Sequence, residues 1–486
     1  MMALREAAEV LGAVLSPPTA DARFVQVSND TRSLAPGALY VALKGERFDG
    51  HDFAAAAQAA GAVAALVERP LPERPLFAQI RVPDTHQALG ALAAHWRSRL
   101  SLPLIGVTGS NGKTTTTQMI GAILAQALGS EQGQARSFAT RGNRNNAIGV
   151  PLMLLELRAW HRAAVLELGM NHVGEIAQLA AWAQPTVGLV NNAQREHQEF
   201  LDSVEATARE NGAVISRLPP DGIAVFPAAD PCAPIWRALA GTRRVLDFSL
   251  SGPAAVQARV QLEDAACRLE IQAPQGRVDL RLEIAGLHNA HNALAAASAC
   301  LAVGIGLEDI AAGLAAFRPV GGRGTRLQTP DGIRLIDDSY NANPDSVRAA
   351  IDLLAQQPGT RILVLGDMAE VGVQGPQFHA EVGAHARARG LDGLLALGPQ
   401  SAATVTAFGA GARHFASLEA LVAALRMQCA AGPQASGDPA SASCSVLVKA
   451  SRSMRMERVV AALMEKNVQT DLPTQGPQPG ELRRHA

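Results

Sequence analysis

Apolar and polar positions along this chain change their spacing twice. Between residues 24 and 100, short apolar runs at 24–27, 38–43, 62–67 and 79–82 predict strands, with Ala-rich helical stretches between them and turns at Pro36-Gly37 and Asp49-Gly50. From Leu102 the runs lie a helix length apart. Leu104–Thr108, 163–168 and 186–191 are almost wholly apolar, the pattern of parallel strands covered on both faces. After Phe317-Arg318-Pro319 a Gly-rich elbow, Gly321-Gly322-Arg323-Gly324, leads into a predicted hairpin, 325–329 and 333–337 around Pro330-Asp331-Gly332. Beyond it, 361–365, Gly393–Leu397 and 445–448 read as parallel strands with helices between them. The expected fold is therefore α/β in three domains: a small N-terminal α/β domain over 1–101, a central P-loop-type domain with a mainly parallel sheet over 102–318, and a C-terminal Rossmann-like doubly wound domain over 319–466. The tail 467–486 and the Gly/Pro/Ser/Ala stretch 431–443 are expected to be mobile.

Composition narrows the function. A length of 486 residues fits about three domains. With 43 Lys and Arg against 44 Asp and Glu, no global charge draws the chain to nucleic acid or to an anionic membrane, so any anion site must be local. Aromatic residues make up only 4%, which disfavours base-stacking platforms. The five cysteines, Cys232, Cys267, Cys300, Cys429 and Cys444, are widely spread with no C-x-x-C spacing, and a reducing cytoplasm is expected. Residues 1–15 read as an amphipathic helix in which Arg5, Glu6 and Glu9 interrupt any export signal. The longest apolar run, 293–305, is broken by Ser298, falls short of the roughly 20 residues of a membrane span, and reads as a buried Ala-rich helix.

Local chemistry starts where Leu104–Thr108 runs into Gly109-Ser110-Asn111-Gly112-Lys113-Thr114-Thr115. The following helix carries Met119, Ile120, Ile123, Leu124, Ala127 and Leu128 on one face. Strand, glycine loop and helix N-terminus together suit a polyphosphate: backbone N–H groups wrap it, Lys113 reaches its β and γ oxygens, and Thr114 offers a hydroxyl to Mg²⁺. Val107 stands where the general G-x-x-x-x-G-K-[ST] pattern has its first glycine. Glu167 and His197 follow later central strands, at the sheet end where open α/β folds bind ligands.

The loop from Gly109 to Thr115, the run Thr140-Arg141-Gly142-Asn143-Arg144-Asn145-Asn146, Glu167-Leu168-Gly169-Met170 and Gly286-Leu287-His288-Asn289-Ala290-His291-Asn292 together resemble the Mur ligase family, ATP-dependent amide ligases that build the peptide of bacterial cell-wall precursors. Gly322-Arg323-Gly324, Asp337-Asp338-Ser339-Tyr340-Asn341-Ala342-Asn343-Pro344 and Leu365-Gly366-Asp367-Met368-Ala369-Glu370 extend the likeness to the third domain. Within the family, Ser28-Asn29-Asp30-Thr31-Arg32 and Gly45-Glu46-Arg47-Phe48-Asp49-Gly50-His51 are similar to the branch that joins D-alanyl-D-alanine to UDP-N-acetylmuramoyl-tripeptide.

The resemblance implies that ATP phosphorylates the tripeptide carboxylate and that the dipeptide amine attacks the acyl phosphate, with Mg²⁺ as cofactor. It implies catalytic roles for Lys113, Glu167 and His197, metal contacts from Thr114, Glu167 and His197, and nucleotide contacts from Gly109, Ser110, Asn111, Gly112, Lys113, Thr114, Thr115, Asn292, Arg323 and Asp338. For the UDP precursor it points to Asp30, Thr31, Arg32, Arg47, Asp49, His51, Asn143, Asn145 and Asn146; for the dipeptide, to Asn341, Asn343, Lys449, Ser451 and Arg452. A cytoplasmic monomer is expected, with no nucleic-acid partner and no membrane insertion. Where many relatives carry a carbamylated lysine that helps hold a second Mg²⁺, this chain has Asn211, with Glu210 as a substitute carboxylate. Two alternatives are a ligase of the same mechanism with another acceptor, such as a folylpolyglutamate synthetase, and a nucleotide-dependent binding module. Retention of Lys113, Glu167 and His197 argues against the second.

Overall fold

The computed structural model describes residues 1–71, 77–430 and 444–465; the expected mobile stretches 431–443 and 467–486 lie outside them. The chain forms three consecutive sheet-centred α/β units. The first holds five strands in the order Val14–Ser16, Ala78–Arg81, Ala64–Val67, Ala38–Val41, Gln26–Ser28, parallel except for the first pair. The N-terminal helix is shorter than its sequence pattern suggests. It covers Leu4–Val10, Gly12 turns the chain at φ 57°, and Val14–Ser16 becomes an edge strand with only Leu15 buried. That exposed–buried–exposed alternation has the period of a strand, not of a helix.

The central sheet is wholly parallel, in the order Ser137–Ala139, Ala163–Glu167, Leu104–Thr108, Val187–Val190, Ile223–Val225, Arg244–Val245. Alternate residues of its strands feed two cores. Ile105, Val107, Val165 and Leu189 pack with Met119 and Ile123 of the helix Lys113–Leu128 and with Ala293 and Leu294 of the Ala-rich helix Leu287–Ala302. Leu104, Ala164 and Leu166 belong to the opposite core, which also takes in Leu92 and Trp96 from Thr85–Ser98, the last helix of the first unit. The first two units thus share one apolar interior. Trp96 Nε1 donates to Leu157 O at 2.9 Å, and the buried Arg97 guanidinium donates to the carbonyls of Ala183, Leu102 and Gln184. A Cβ at Gly90 would stand 2.2 Å from the Trp182 ring, so this contact admits only hydrogen.

A second central sheet, Phe248–Ser249, Val256–Leu262, Cys267–Ala273 and Gly276–Leu282, is antiparallel over its last three strands and is absent from the sequence expectation. Its outward positions carry Gln, Arg, Glu and Asp, so no continuous apolar run announces it.

The third unit has six strands in the order Thr325–Gln328, Arg334–Asp338, Cys444–Lys449, Thr360–Gly366, Gly393–Leu397, Ala412–Phe415, parallel except for the expected hairpin that opens it. It has its own cores on the two faces of this sheet. One cysteine pair departs from the all-thiol expectation: Cys429, in the helix Leu418–Ala430, is disulfide-bonded to Cys444, with Cα atoms 5.5 Å apart, while Cys232, Cys267 and Cys300 are buried thiols.

Polar groups join the central and third units. The segment after Val187–Val190 places Arg195 between two carboxylates: Nε and Nη2 embrace Asp345 at 3.1 and 2.6 Å, and Nη1 donates to Glu381 at 2.7 Å. The backbone N–H of Arg195 adds a third bond to Asp345, and the guanidinium lies 5.1 Å from the Phe378 ring centre. Arg348 donates to the same Glu381 at 2.6 Å, balancing the two carboxylates with two cations. A planar fork with two bidentate partners fixes orientation as well as distance. Arg195→Ala is therefore expected to loosen this junction while leaving each unit folded. Small-angle X-ray scattering should show a larger radius of gyration than the wild type; an unchanged curve would mean that the remaining contacts suffice.

Candidate active site

The phosphate loop owes its shape to two glycines in the left-handed half of backbone space. Gly109 has φ 127° and Gly112 has φ 80°, and a Cβ on Gly112 would lie 2.2 Å from Asn292 Oδ1 and 2.6 Å from Asn191 Nδ2. The loop is held from outside by residues that follow neighbouring strands. Asn211 Oδ1 accepts from Gly109 N at 2.8 Å, Asn192 Oδ1 from Asn111 N at 2.9 Å, and Ser110 Oγ from Gln194 N at 2.9 Å. Asn191 Nδ2 donates to both Asn111 O and Asn292 Oδ1, tying the loop to the Ala-rich helix. The first N–H groups of Lys113–Leu128 have no partners within their own helix and, with the helix dipole, favour an anion at the loop.

Lys113 is folded back over this loop. Its Nζ donates to Gly109 O at 2.6 Å, Ser110 O at 3.1 Å and Glu196 Oε1 at 2.8 Å. Next to Glu196, His197 adopts φ 52°, and its Nδ1 lies 2.6 Å from the Glu370 carboxylate of the third unit, itself at φ 58°. Two non-glycine residues in the sparsely populated left-handed region thus face each other across the junction, each at a cost of order 1–3 kcal/mol that the surroundings must offset. Burial disfavours charge on the His197 ring, yet the Glu196 and Glu370 carboxylates, 3.5 and 2.6 Å from its nitrogens, outweigh burial and push its pKa up to about 9. Glu167 ends the strand Ala163–Glu167 at 2% exposure; its Oε1 accepts from Asn145 Nδ2 at 2.8 Å and its Oε2 has no partner.

These groups line one cleft of about 1400 Å³ between the central and third units. Of the residues singled out in the sequence, Ser110 through Thr115, Asn145, Asn146, Glu167, His197, Asn292, Arg323, Asp338, Asn341, Asn343, Lys449, Ser451 and Arg452 line it. Several are already engaged. Lys449, 3% exposed, donates to Asp338 at 2.6 Å and to Asn341 O at 2.9 Å. Asn343 caps the helix Pro344–Ala355 and exchanges side-chain amide bonds with Asn111 of the phosphate loop. Asn146 Oδ1 accepts from Gly149 N at the start of Gly149–Glu156. Ser451 Oγ links Ala369 N to Ala342 O, and Arg323 lies 3.9 Å from the Tyr340 ring centre, with Arg452 5.5 Å from the same ring.

The first-unit candidates stand apart. Asp30, Thr31, Arg32, Arg47, Asp49 and His51 do not line the cleft, nor do Asn143 and Gly109, the latter lying behind the loop with its N–H on Asn211; His86, which carries no expectation from the sequence, does. Arg32 clasps Asp30 through Nε and Nη2 and lowers its carboxyl to about 2. His51 is spent structurally, its Nδ1 on Asp49 at 2.6 Å and its Nε2 accepting from Glu68 N at 2.9 Å. Glu196, Gln194, Arg195 and Tyr340 were likewise missed, although the first three adjoin His197 in the chain. Neither proposed replacement for a metal-binding lysine is free for that role. Both oxygens of Glu210 cap the helix Glu175–Ala183, accepting from Gly174 N and Ile176 N at 2.9 Å, and the Asn211 carbonyl is committed to Gly109. Asn211→Ala leaves the buried Gly109 N–H unsatisfied, a cost of roughly 1–3 kcal/mol. It is expected to lower the melting temperature and weaken ATP binding while leaving the Mg²⁺ dependence of activity unchanged, which a metal titration of the variant checks.

Comparison with known proteins matches this architecture unit by unit. The Mur ligase family catalytic domain matches residues 23–97, the Mur ligase middle domain 107–300, and the Mur ligase glutamate ligase domain 322–465. The UDP-N-acetylmuramoyl-tripeptide–D-alanyl-D-alanine ligase of Escherichia coli (strain K12) is 42% identical over 448 residues, covering 92% of this chain and 95% of that protein. The crystal structure of MurF from Acinetobacter baumannii superposes with a TM-score of 0.86 at 34% identity, covering 95% of this chain and 98% of that one. MurF from Thermotoga maritima in complex with ADP gives a TM-score of 0.76 at 26% identity, with 90% and 97% covered. With sequence and fold matched across all three units around a phosphate loop, the chain belongs to the Mur ligase family and is an ATP-dependent ligase.

Proposed function

We propose that this chain joins D-alanyl-D-alanine to UDP-N-acetylmuramoyl-tripeptide, giving UDP-N-acetylmuramoyl-pentapeptide, ADP and phosphate, as a cytoplasmic monomer in peptidoglycan precursor synthesis. The observation that carries the reading is the cleft itself: a glycine phosphate loop, a buried carboxylate with a free oxygen and the third unit's cationic residues face one space. The relatives' names supply the substrates. Among the described residues no helix is long and apolar enough to cross a membrane. In this reading residues 1–101 hold the UDP precursor, 102–318 the ATP, and 319–466 close over both with the dipeptide.

The donor set fits Mg²⁺. Glu167 Oε2 is a buried, unpartnered hard oxygen, and Thr114, 7% exposed, opens the helix after the loop. Among the described residues no three His, Cys, Asp or Glu side chains form a cluster that could hold a metal, so Mg²⁺ would be held by Thr114 and Glu167 together with phosphate oxygens and water, and His197 would join them only on losing the proton that Glu196 and Glu370 stabilise. When bound, Mg²⁺ neutralises charge on the transferring phosphoryl group.

A free carboxylate is a poor electrophile, and phosphorylation makes it a good one. In that transfer Lys113 gives up its bonds to Gly109 O and Ser110 O and turns its ammonium to the β and γ oxygens, where negative charge collects. Gly109, Gly112 and the N–H groups of residues 110–115 cradle the polyphosphate, and Asn292 borders the adenine side. Arg323, held on Tyr340, and Asp338, paired with Lys449, meet the phosphates and ribose from the third unit. Closure of that unit excludes water, which would otherwise hydrolyse the acyl phosphate before the amine attacks. Asn341, Ser451 and Arg452 border the space left for the dipeptide.

Phosphate release from ATP should require Mg²⁺, UDP-N-acetylmuramoyl-tripeptide and D-alanyl-D-alanine together, with pentapeptide as the product. Release with a different acceptor and none with this one would reassign the substrate. Lys113→Ala is expected to lower kcat by about 10²–10³, the loss typical of removing one preorganised donor, with the fold intact by circular dichroism.

A further inference from the structure

Among the described residues, two carboxylates that line the cleft have a buried oxygen with no hydrogen-bond partner: Glu167 Oε2 and Glu196 Oε2. The first was expected from the sequence. Glu196 was not, yet it is 7% exposed and sits at the mouth of the phosphate loop. Its other oxygen accepts from Lys113 Nζ at 2.8 Å, and the His197 ring lies 3.5 Å away.

The charge balance of Glu196 holds only while the loop is empty. Lys113 is its closest cation, and Lys113 is also the side chain that a polyphosphate in this loop would recruit. Once the ammonium turns to phosphate oxygens, a carboxylate more than nine-tenths buried is left beside several new negative charges, and a buried charge without a partner is strongly disfavoured. The neighbouring cations do not fill the gap. Arg195 is consumed by Asp345 and Glu381, and the His197 ring, 3.5 Å from Glu196, is shared with Glu370 at 2.6 Å, so that one ring faces two carboxylates. Glu210 and Asn211 are spent on a helix cap and on Gly109. With Lys113 turned away, the buried and unpartnered Glu196 Oε2 offers a place for a further cation.

We propose that Glu196 is a ligand, direct or through water, of a divalent cation taken up once the nucleotide fills the loop, in addition to the ion the nucleotide carries, and that Lys113 holds its place until then. Hard carboxylate oxygen and a space shared with phosphate are the donor chemistry of Mg²⁺ or Mn²⁺. The inference rests on the reading that this loop binds ATP, and it places a cation at Glu196 beside the one proposed at Thr114 and Glu167.

Mn²⁺ uptake followed by electron paramagnetic resonance tests it without turnover. The full chain is titrated with Mn²⁺ in the presence of β,γ-methylene ATP, with and without UDP-N-acetylmuramoyl-tripeptide. The wild type should take up Mn²⁺ beyond the ion carried by the analogue. In E196Q this extra uptake should be lost or weakened by roughly tenfold or more, while E196D, which keeps the charge, should retain it with reduced affinity. A purely structural role would not sort the two variants by charge. Wild-type uptake by E196Q under both conditions, or no extra uptake by the wild type in either, would overturn the proposal. Should E196Q fail to fold, unchanged affinity in E196D overturns it equally. Wild-type chain that binds Mn²⁺ and the analogue but releases no phosphate with tripeptide and dipeptide would instead count against the assigned substrates.

Discussion

Everything functional in this molecule hangs on the seven residues from Asn191 to His197, which must satisfy the phosphate loop on one side and the third unit on the other. Asn191, Asn192 and Gln194 spend their amides and carbonyls on Ser110 and Asn111. Arg195 and His197 reach across to Asp345, Glu381 and Glu370. Glu196, between them, holds Lys113. One short peptide therefore touches both the third unit and the lysine of the phosphate loop. His197 closes this segment in the left-handed region, with its ring against Glu370 of the third unit.

Much of the framework was legible from periodicity. The buried strands Leu104–Thr108 and Val187–Val190 and the Ala-rich helix Leu287–Ala302 stand where their apolar runs place them, because residues covered on both faces need no polar alternation. The second central sheet escaped for the opposite reason. Strands such as Gly276–Leu282 expose Arg and Asp at alternate positions, and the signal is period two with charged outer residues. At the N-terminus, Gly12 divided a pattern that read as one helix into a helix and an edge strand.

The site divides along the same line. Residues of the phosphate loop are fixed by local chemistry, since a glycine at φ 80° and a lysine opening a helix act within a few positions of each other. Arg195 and Glu196 derive their roles from partners far along the chain, Asp345 150 positions on for the first and Lys113 83 positions back for the second. Composition and spacing carry no trace of such pairings. His51 shows the converse, a polar side chain that looks available in sequence and is sealed by Asp49 and the Glu68 amide in three dimensions.

The shared core beneath Trp96 has a consequence for how the chain comes apart. Leu92 and Trp96 of the first unit lie in one continuous apolar cluster with Leu104, Leu154 and Trp182 of the second, so neither unit can lose its interior without exposing that of the other. The third unit's hydrophobic clusters take in only Ala285 from the second unit, and polar contacts between the two include ion pairs that water can replace. Cooperativity should therefore follow the chemistry of the interfaces and not the count of sheets, with the first two units unfolding as one block, the third as another, and the cleft as the boundary between them.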